Sequence, residues 1–274
     1  MAATITTVTR LTAAGPLAWF RDLIRAETVK FRATRSTYYA LLALVVVGIG
    51  VSALVGQAMA ARWPHLSPLN RASFDPLSST FRGFEIGQLI IGSLGVLMIS
   101  SEYSSGLIRT TFAAIPQRRS VLMAKAVVIG VTSLIVGEAA AFAGFLVSQD
   151  LLGPTGVSLS ISSPHALPAV ASTGLYLAVI ALLGLALGAL IRHTPGAVVA
   201  LFALVFVLPG VISALPAPWD TRIGKWLPDN LAGQLVSLAP NPDYLSRTSS
   251  LIVLLAYPVV LLTAAAWRLG RSDA

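Results

Sequence analysis

"FRGFEIGQLIIGSLGVLMIS", Phe81 to Ser100, is the weakest apolar stretch in this chain, and its reading decides the fold. Its apolar core is short for a segment that must cross about 30 Å of hydrocarbon, and it begins beside Arg82 and Glu85. Counted as a membrane span it makes six. Discounted, it leaves five and reverses the side of every later loop. The basic residues settle the choice. With six spans and a cytoplasmic amino terminus, 13 of the 19 Lys and Arg residues lie inside: Arg10, Arg21, Arg25, Lys30, Arg32, Arg35, Arg109, Arg118, Arg119, Lys125, Arg192, Arg268 and Arg271. Outside are Arg62, Arg71, Arg82, Arg222, Lys225 and Arg247. Cytoplasmic loops carry the Lys and Arg excess in membrane proteins, so six spans with both termini inside is the arrangement the charges support.

The spans are then Tyr38–Met59, Glu85–Ser100, Ala126–Val147, Pro168–Ile191, Gly196–Leu215 and Ser249–Trp267. They make an all-α membrane domain over 38–267, with an inner loop at 101–125 and an outer segment at 216–248. Cytoplasmic tails flank it at 1–37 and 268–274. Composition agrees: the chain is 55% hydrophobic and 11% charged, with a mean hydropathy of +0.80, where a soluble domain carries about 25% charged residues. In a soluble chain a net charge of +8 would raise nucleic acid as a partner; here a bias toward one membrane face accounts for it, and no nucleic acid is expected. Cysteine is absent, which excludes disulfides, thiolate metal sites and thiol nucleophiles. The first twenty residues lack the apolar core of a secretory signal.

Between Gly15 and Thr37, Phe20, Leu23, Ile24, Thr28 and Phe31 recur at helical spacing, with Arg21, Arg25, Lys30 and Arg32 largely elsewhere. That pattern predicts a helix lying in the inner interface against membrane lipid. The outer segment, rich in Pro and Trp, accommodates a short interfacial or re-entrant helix around Asn230–Leu238. The pairs Gly83/Gly87 and Gly184/Gly188 suit close helix packing.

Catalytic constellations are missing. The one Gly-Lys pair, Gly224-Lys225, is followed by Trp226 and belongs to no phosphate loop. There is no dinucleotide fingerprint, no H-E-x-x-H and no G-x-S-x-G elbow. His65, His165 and His193 lie in separate loops, so no metal is expected. Glu138, in "LIVGEAAAF", is the one ionisable residue well inside a span and a candidate pathway or gating residue. A neutral acid bonded to a neighbouring helix accounts for it equally well.

The inner loop, "SSEYSSGLIRTTFAAIPQRRSVLMAK", reads as a helix from Glu102 to Ile115, capped by Ser100 or Ser101 and ended by Pro116. Ile108, Phe112 and Ile115 form an apolar stripe, while Arg109, Arg118 and Arg119 are available to acidic or phosphate groups. The remaining inner loop, "RHTP", is too short to cover that stripe, which therefore reads as a docking surface.

The segment resembles the coupling-helix region of ABC transporter type-2 permeases, roughly E-Y-x-x-G-T-I-R-x-T-L-x-x-x-P followed by basic residues and a Lys. Glu102, Tyr103, Gly106, Ile108, Arg109, Thr111, Pro116, Arg118, Arg119 and Lys125 match. Leu107 stands where the family usually has Thr, and Phe112 where it usually has Leu. Upstream, Glu27, Lys30, Arg32, Arg35 and Ser36 resemble the family's E-x-x-K-x-R-x-x-R-S pattern. The resemblance implies a plasma-membrane exporter subunit that moves a hydrophobic or amphipathic substrate, such as a drug, antibiotic, peptide or lipid. It further implies pairing with a second permease copy or paralogue, and two ATP-binding subunits that dock through Glu102, Tyr103, Gly106, Ile108, Arg109, Phe112 and Ile115 and hold the ATP and Mg, with no cofactor expected in this chain. Phe20, Glu27, Lys30, Phe31 and Arg35 belong to the interfacial helix. The rival readings are a secondary transporter or channel without an ATPase, and a scaffold that docks a cytoplasmic partner.

Overall fold

The computed structural model describes residues 16–271. Readings that fall on 1–15, Arg10 among them, and on 272–274 lie outside the described residues. All regular structure among the described residues is helical, and six helices are long and apolar enough to cross a membrane. Residues Gly83 to Ser100 of the opening stretch belong to one of them, which runs from Gly83 to Ser104.

The chain opens with α1 (Pro16–Ala33) and α2 (Arg35–Arg62), followed by two short helices, α3 (Pro68–Ala72) and α4 (Pro76–Phe81). Then come α5 (Gly83–Ser104), α6 (Leu107–Ala114), α7 (Arg118–Leu152) and α8 (Ala166–Ile191). The fifth crossing is composite: α9 (Thr194–Phe202), a π-helical turn over Ala203–Val207, and α10 (Leu208–Ser213). The wide turn sits just before Pro209, which has no N–H to continue an α-helical ladder. Two short helices, α11 (Trp219–Gly224) and α12 (Pro228–Val236), lead to α13 (Arg247–Arg271).

The doubtful span turns out to be central. α5 and α8 are the most buried crossings, while α2, α9 with α10, and α13 lie at the periphery. The reason is glycine. A Cβ on Gly95 would lie 2.0 Å from the Ala181 carbonyl oxygen, and one on Gly184 would lie 2.0 Å from the Gly92 carbonyl oxygen. The two backbones therefore touch, as small residues permit where lipid offers no hydrophobic drive between helices. Gly83 meets the backbone of α2 in the same way, 2.6 Å from the Gly48 carbonyl oxygen. Residues that look marginal for hydropathy are thus the ones that let α5 sit in the middle.

Several expected boundaries change. α5 is longer than 85–100 because its serines complete its last turn: Ser101 Oγ donates to the Leu97 carbonyl at 2.6 Å, and Ser105 Oγ to the Ser101 carbonyl at 2.7 Å. α7 begins at Arg118 rather than Ala126, so a third of the expected inner loop is already helix. The single helix read over Glu102–Ile115 is two. Glu102 lies in the last turn of α5, which ends at Ser104, Gly106 takes a left-handed φ of 75°, and α6 starts at Leu107; a left-handed residue cannot continue a right-handed helix. The short helix expected around Asn230–Leu238 spans Pro228–Val236.

At the bundle end away from α6, Asp75 caps α4 and reaches across to α12. Its carboxylate accepts from Leu77 N at 2.9 Å, Ser237 Oγ at 2.7 Å and Leu238 N at 2.9 Å. Arg247 donates to the Ser237 carbonyl at 2.6 Å. These bonds close one end, and the candidate site lies at the other.

Candidate functional site

α1 is amphipathic for a reason that its apolar residues alone do not show. Leu23, Glu27 and Phe31 follow one another at i, i+4 and i+8, and all three are buried. The stripe that the sequence assigns to lipid is covered here by the chain itself, chiefly by α7. A carboxylate on such a stripe needs a cation, and α7 supplies it. Lys125 Nζ donates to Glu27 Oε2 at 2.6 Å and to Glu102 Oε1, in the last turn of α5, at 2.7 Å. Lys30 Nζ completes the cluster at 2.9 Å from Glu27 Oε1 and 3.3 Å from Glu102 Oε1.

Two ammonium groups thus face two carboxylates, and three helices from separate parts of the chain are joined at one point. The Lys125 and Glu27 side chains are each 2% exposed, so water screens their attraction little. Charge-assisted bonds of this length are strong, yet desolvation consumes much of the gain, and what such a cluster fixes best is geometry. Lys30 is half-exposed. Burial pulls its ammonium pKa down, but the bond to Glu27 and the charges of Glu27 and Glu102 outweigh that and hold it above the usual lysine value. Glu102 Oε2 is buried and has no hydrogen-bond partner. Beside the cluster, between α1, α2 and α5, is a cavity of about 380 Å³ lined by Lys30, Thr34, Leu94, Ser101, Glu102 and Leu107.

α6 hangs directly from this joint. Two residues, Ser105 and Gly106, separate it from the helix that carries Glu102. Ile108 and Phe112 are buried, and the Arg118 guanidinium lies 5.2 Å from the Phe112 ring centre. The premise that nothing in the chain covers this stripe is therefore corrected: it is the seat of α6. Ile115 is half-buried at the helix end. What α6 presents outward is Leu107, Arg109, Thr110, Ala113 and Ala114. Tyr103 is half-buried with Arg192 stacked 5.4 Å from its ring centre. Ser100 Oγ accepts from Thr194 Oγ1 at 2.8 Å, which ties α5 to the start of α9.

The structure brings Glu27, Lys30 and Glu102 together, with Phe31 packed close by, and adds Lys125, which in the sequence is only one position of the inner-loop pattern. Phe20 is half-buried on α1, and Arg35 is exposed at the start of α2. Glu138 stands apart, on α7 against α8. One signal could have found the cluster: Glu27 and Lys125 are both charges set among buried apolar neighbours at helical spacing. Both ammonium groups are paired with carboxylates of the same chain, so the cluster ties α1, α5 and α7 together at one point.

A family model described as ABC-2 family transporter protein matches residues 23–210. That stretch starts on the buried face of α1 and runs through the charged cluster and α6 into the fifth crossing. No curated protein gives a significant match. Six helices fit to span a membrane, and a family match over more than half the chain, lead to one conclusion: the chain belongs to the ABC-2 transporter family, as a multi-pass membrane permease.

Proposed function

We propose that this chain is the membrane subunit of an ATP-driven exporter, and that α6 is the element on which a separate ATP-binding subunit bears. The observation that carries the reading is the buried Glu27–Lys125–Glu102 joint directly above α6. A push on α6 is passed through two residues to α5, and through the charges to α7 and α1, so the central crossings move with it. The α6 end is cytoplasmic in this reading, which the distribution of Lys and Arg supports, and the membrane is the plasma membrane. α1 lies along that inner face with its basic side toward lipid head groups.

ATP and Mg belong to the partner, present in two copies, and a second permease copy or paralogue completes the pathway. The substrate is hydrophobic or amphipathic. Since Ile108 and Phe112 hold α6 in place, the partner's contact falls to the outward residues Leu107, Arg109, Thr110 and Ala113. Arg109→Glu reverses a charge there without touching the seat. The expected result is loss of copurification with the ATP-binding subunit and of ATP-dependent transport in reconstituted vesicles, with an unchanged unfolding temperature. Copurification at the native level would refute the assignment of α6.

A further inference from the structure

Glu138 sits near the middle of α7, far from the charged cluster. Its carboxyl lies in the seam with α8: a Cβ on Gly174 would fall 2.4 Å from Glu138 Cδ and 2.6 Å from Oε1. The space that a side chain at 174 would fill is occupied by the carboxyl. No hydrogen bond or ion pair joins this group to any described residue. The seam is open sideways, because Glu138 is only half-buried, and the surface around it is apolar: Val131, Ile135 and Phe142 are 52%, 63% and 41% exposed. A carboxylate near mid-membrane costs about 2.5–3.5 kcal/mol on insertion scales and is retained where it pairs with something.

Among the described residues the chain offers no such partner. Nor would a second copy, since the basic residues of the crossings lie toward helix ends, as Arg35, Arg62, Arg247 and Arg268 do, or are buried, as Lys125 is. A small hydrated cation would have to shed its water against Val131, Ile135 and Phe142. The complement that remains is a cation that carries its own apolar surface. Phe142 is one turn from Glu138 on the same face, where an aromatic ring adds attraction for an organic cation.

We propose that Glu138, cradled at Gly174 and flanked by Phe142, recognises lipophilic cations, organic ammonium or phosphonium groups borne on apolar substituents. This rests on the transport reading above and names the substrate class. The probe is tetraphenylphosphonium, with the similarly shaped anion tetraphenylborate as control, and binding is measured on the full chain in phosphatidylcholine nanodiscs without an ATP-binding subunit. Saturable binding of the cation alone is expected, weakened by at least about tenfold in Glu138→Gln, the scale of a lost charged contact. Glu138→Asp, which keeps the charge, retains binding within a few fold. Undiminished binding to Glu138→Gln overturns the proposal, and so does absence of saturable binding to the native chain. A native dimer that Glu138→Gln converts to monomers would also overturn it, because the face would then belong to a second copy. No ATP-binding partner takes part, so failure here leaves the reading of α6 standing, and failure of the α6 test leaves this one.

Discussion

Lys125→Met tests the joint where it is most exposed to refutation. The substitution keeps the length and apolar stem of the side chain and removes one ammonium that holds Glu27 at 2.6 Å and Glu102 at 2.7 Å. Removing one partner of a buried pair costs about 3–5 kcal/mol, because the remaining charge is left without compensation. Lys30 stays bonded to both carboxylates, which places the expected loss near the lower bound, about 3 kcal/mol, or roughly a hundredfold in the population of undocked α1. The chain has no native cysteine, so a single Leu23→Cys on the buried face of α1 reports that population through its rate of maleimide labelling. Labelling should quicken by about a hundredfold in Lys125→Met. It should return most of the way to the native rate when Glu27→Gln and Glu102→Gln are added, since a neutral cluster has no charge left to bury. A triple variant labelled as fast as the single one would refute the electrostatic argument, and an unchanged single variant would refute the joint altogether.

Two further outcomes follow from the same geometry. Gly95→Ala sets a methyl 2.0 Å from the Ala181 carbonyl oxygen and forces α5 from α8; thermal unfolding should show a loss of about 1–3 kcal/mol, the usual scale of overpacking, whereas Gly50→Ala, with nothing within 4 Å, should lose none. The Lys30 pKa is raised above 10.5, so its contribution is full below the unfolded-state pKa and disappears as pH rises through the folded one. An alkaline stability scan should therefore fall less steeply in Lys30→Met than in the native chain, by a small amount because the side chain is half-exposed and screened.

Much of the architecture was legible in one dimension because hydropathy is a local property. Runs of apolar residues located all six crossings, and the basic residues supplied the argument for retaining the crossing at Phe81–Ser100. Local chemistry misled at the ends. Ser101, Ser104 and Ser105 read as a polar loop, yet each hydroxyl bonds a carbonyl of its own helix and extends α5. Gly106 fits the family pattern as a sequence position, while its left-handed backbone is what divides α5 from α6.

What the sequence determined by itself is what depends on neighbours within a few turns: the number of long apolar helices, the amphipathic face of α1, the helix end before Pro116 and the absence of a nucleotide-binding loop motif. What only the tertiary structure decided is which faces meet. Ile108 and Phe112 look like a surface for another protein until the chain is seen to bury them, and Glu27 looks like one more interfacial charge until Lys125, 98 residues away, is found 2.6 Å from it. A stripe or a charge carries no record of its partner. The pairing is set by backbone approach at Gly92, Gly95 and Gly184, and by the requirement that every buried charge find its counterion, conditions that exist only once the helices have assembled.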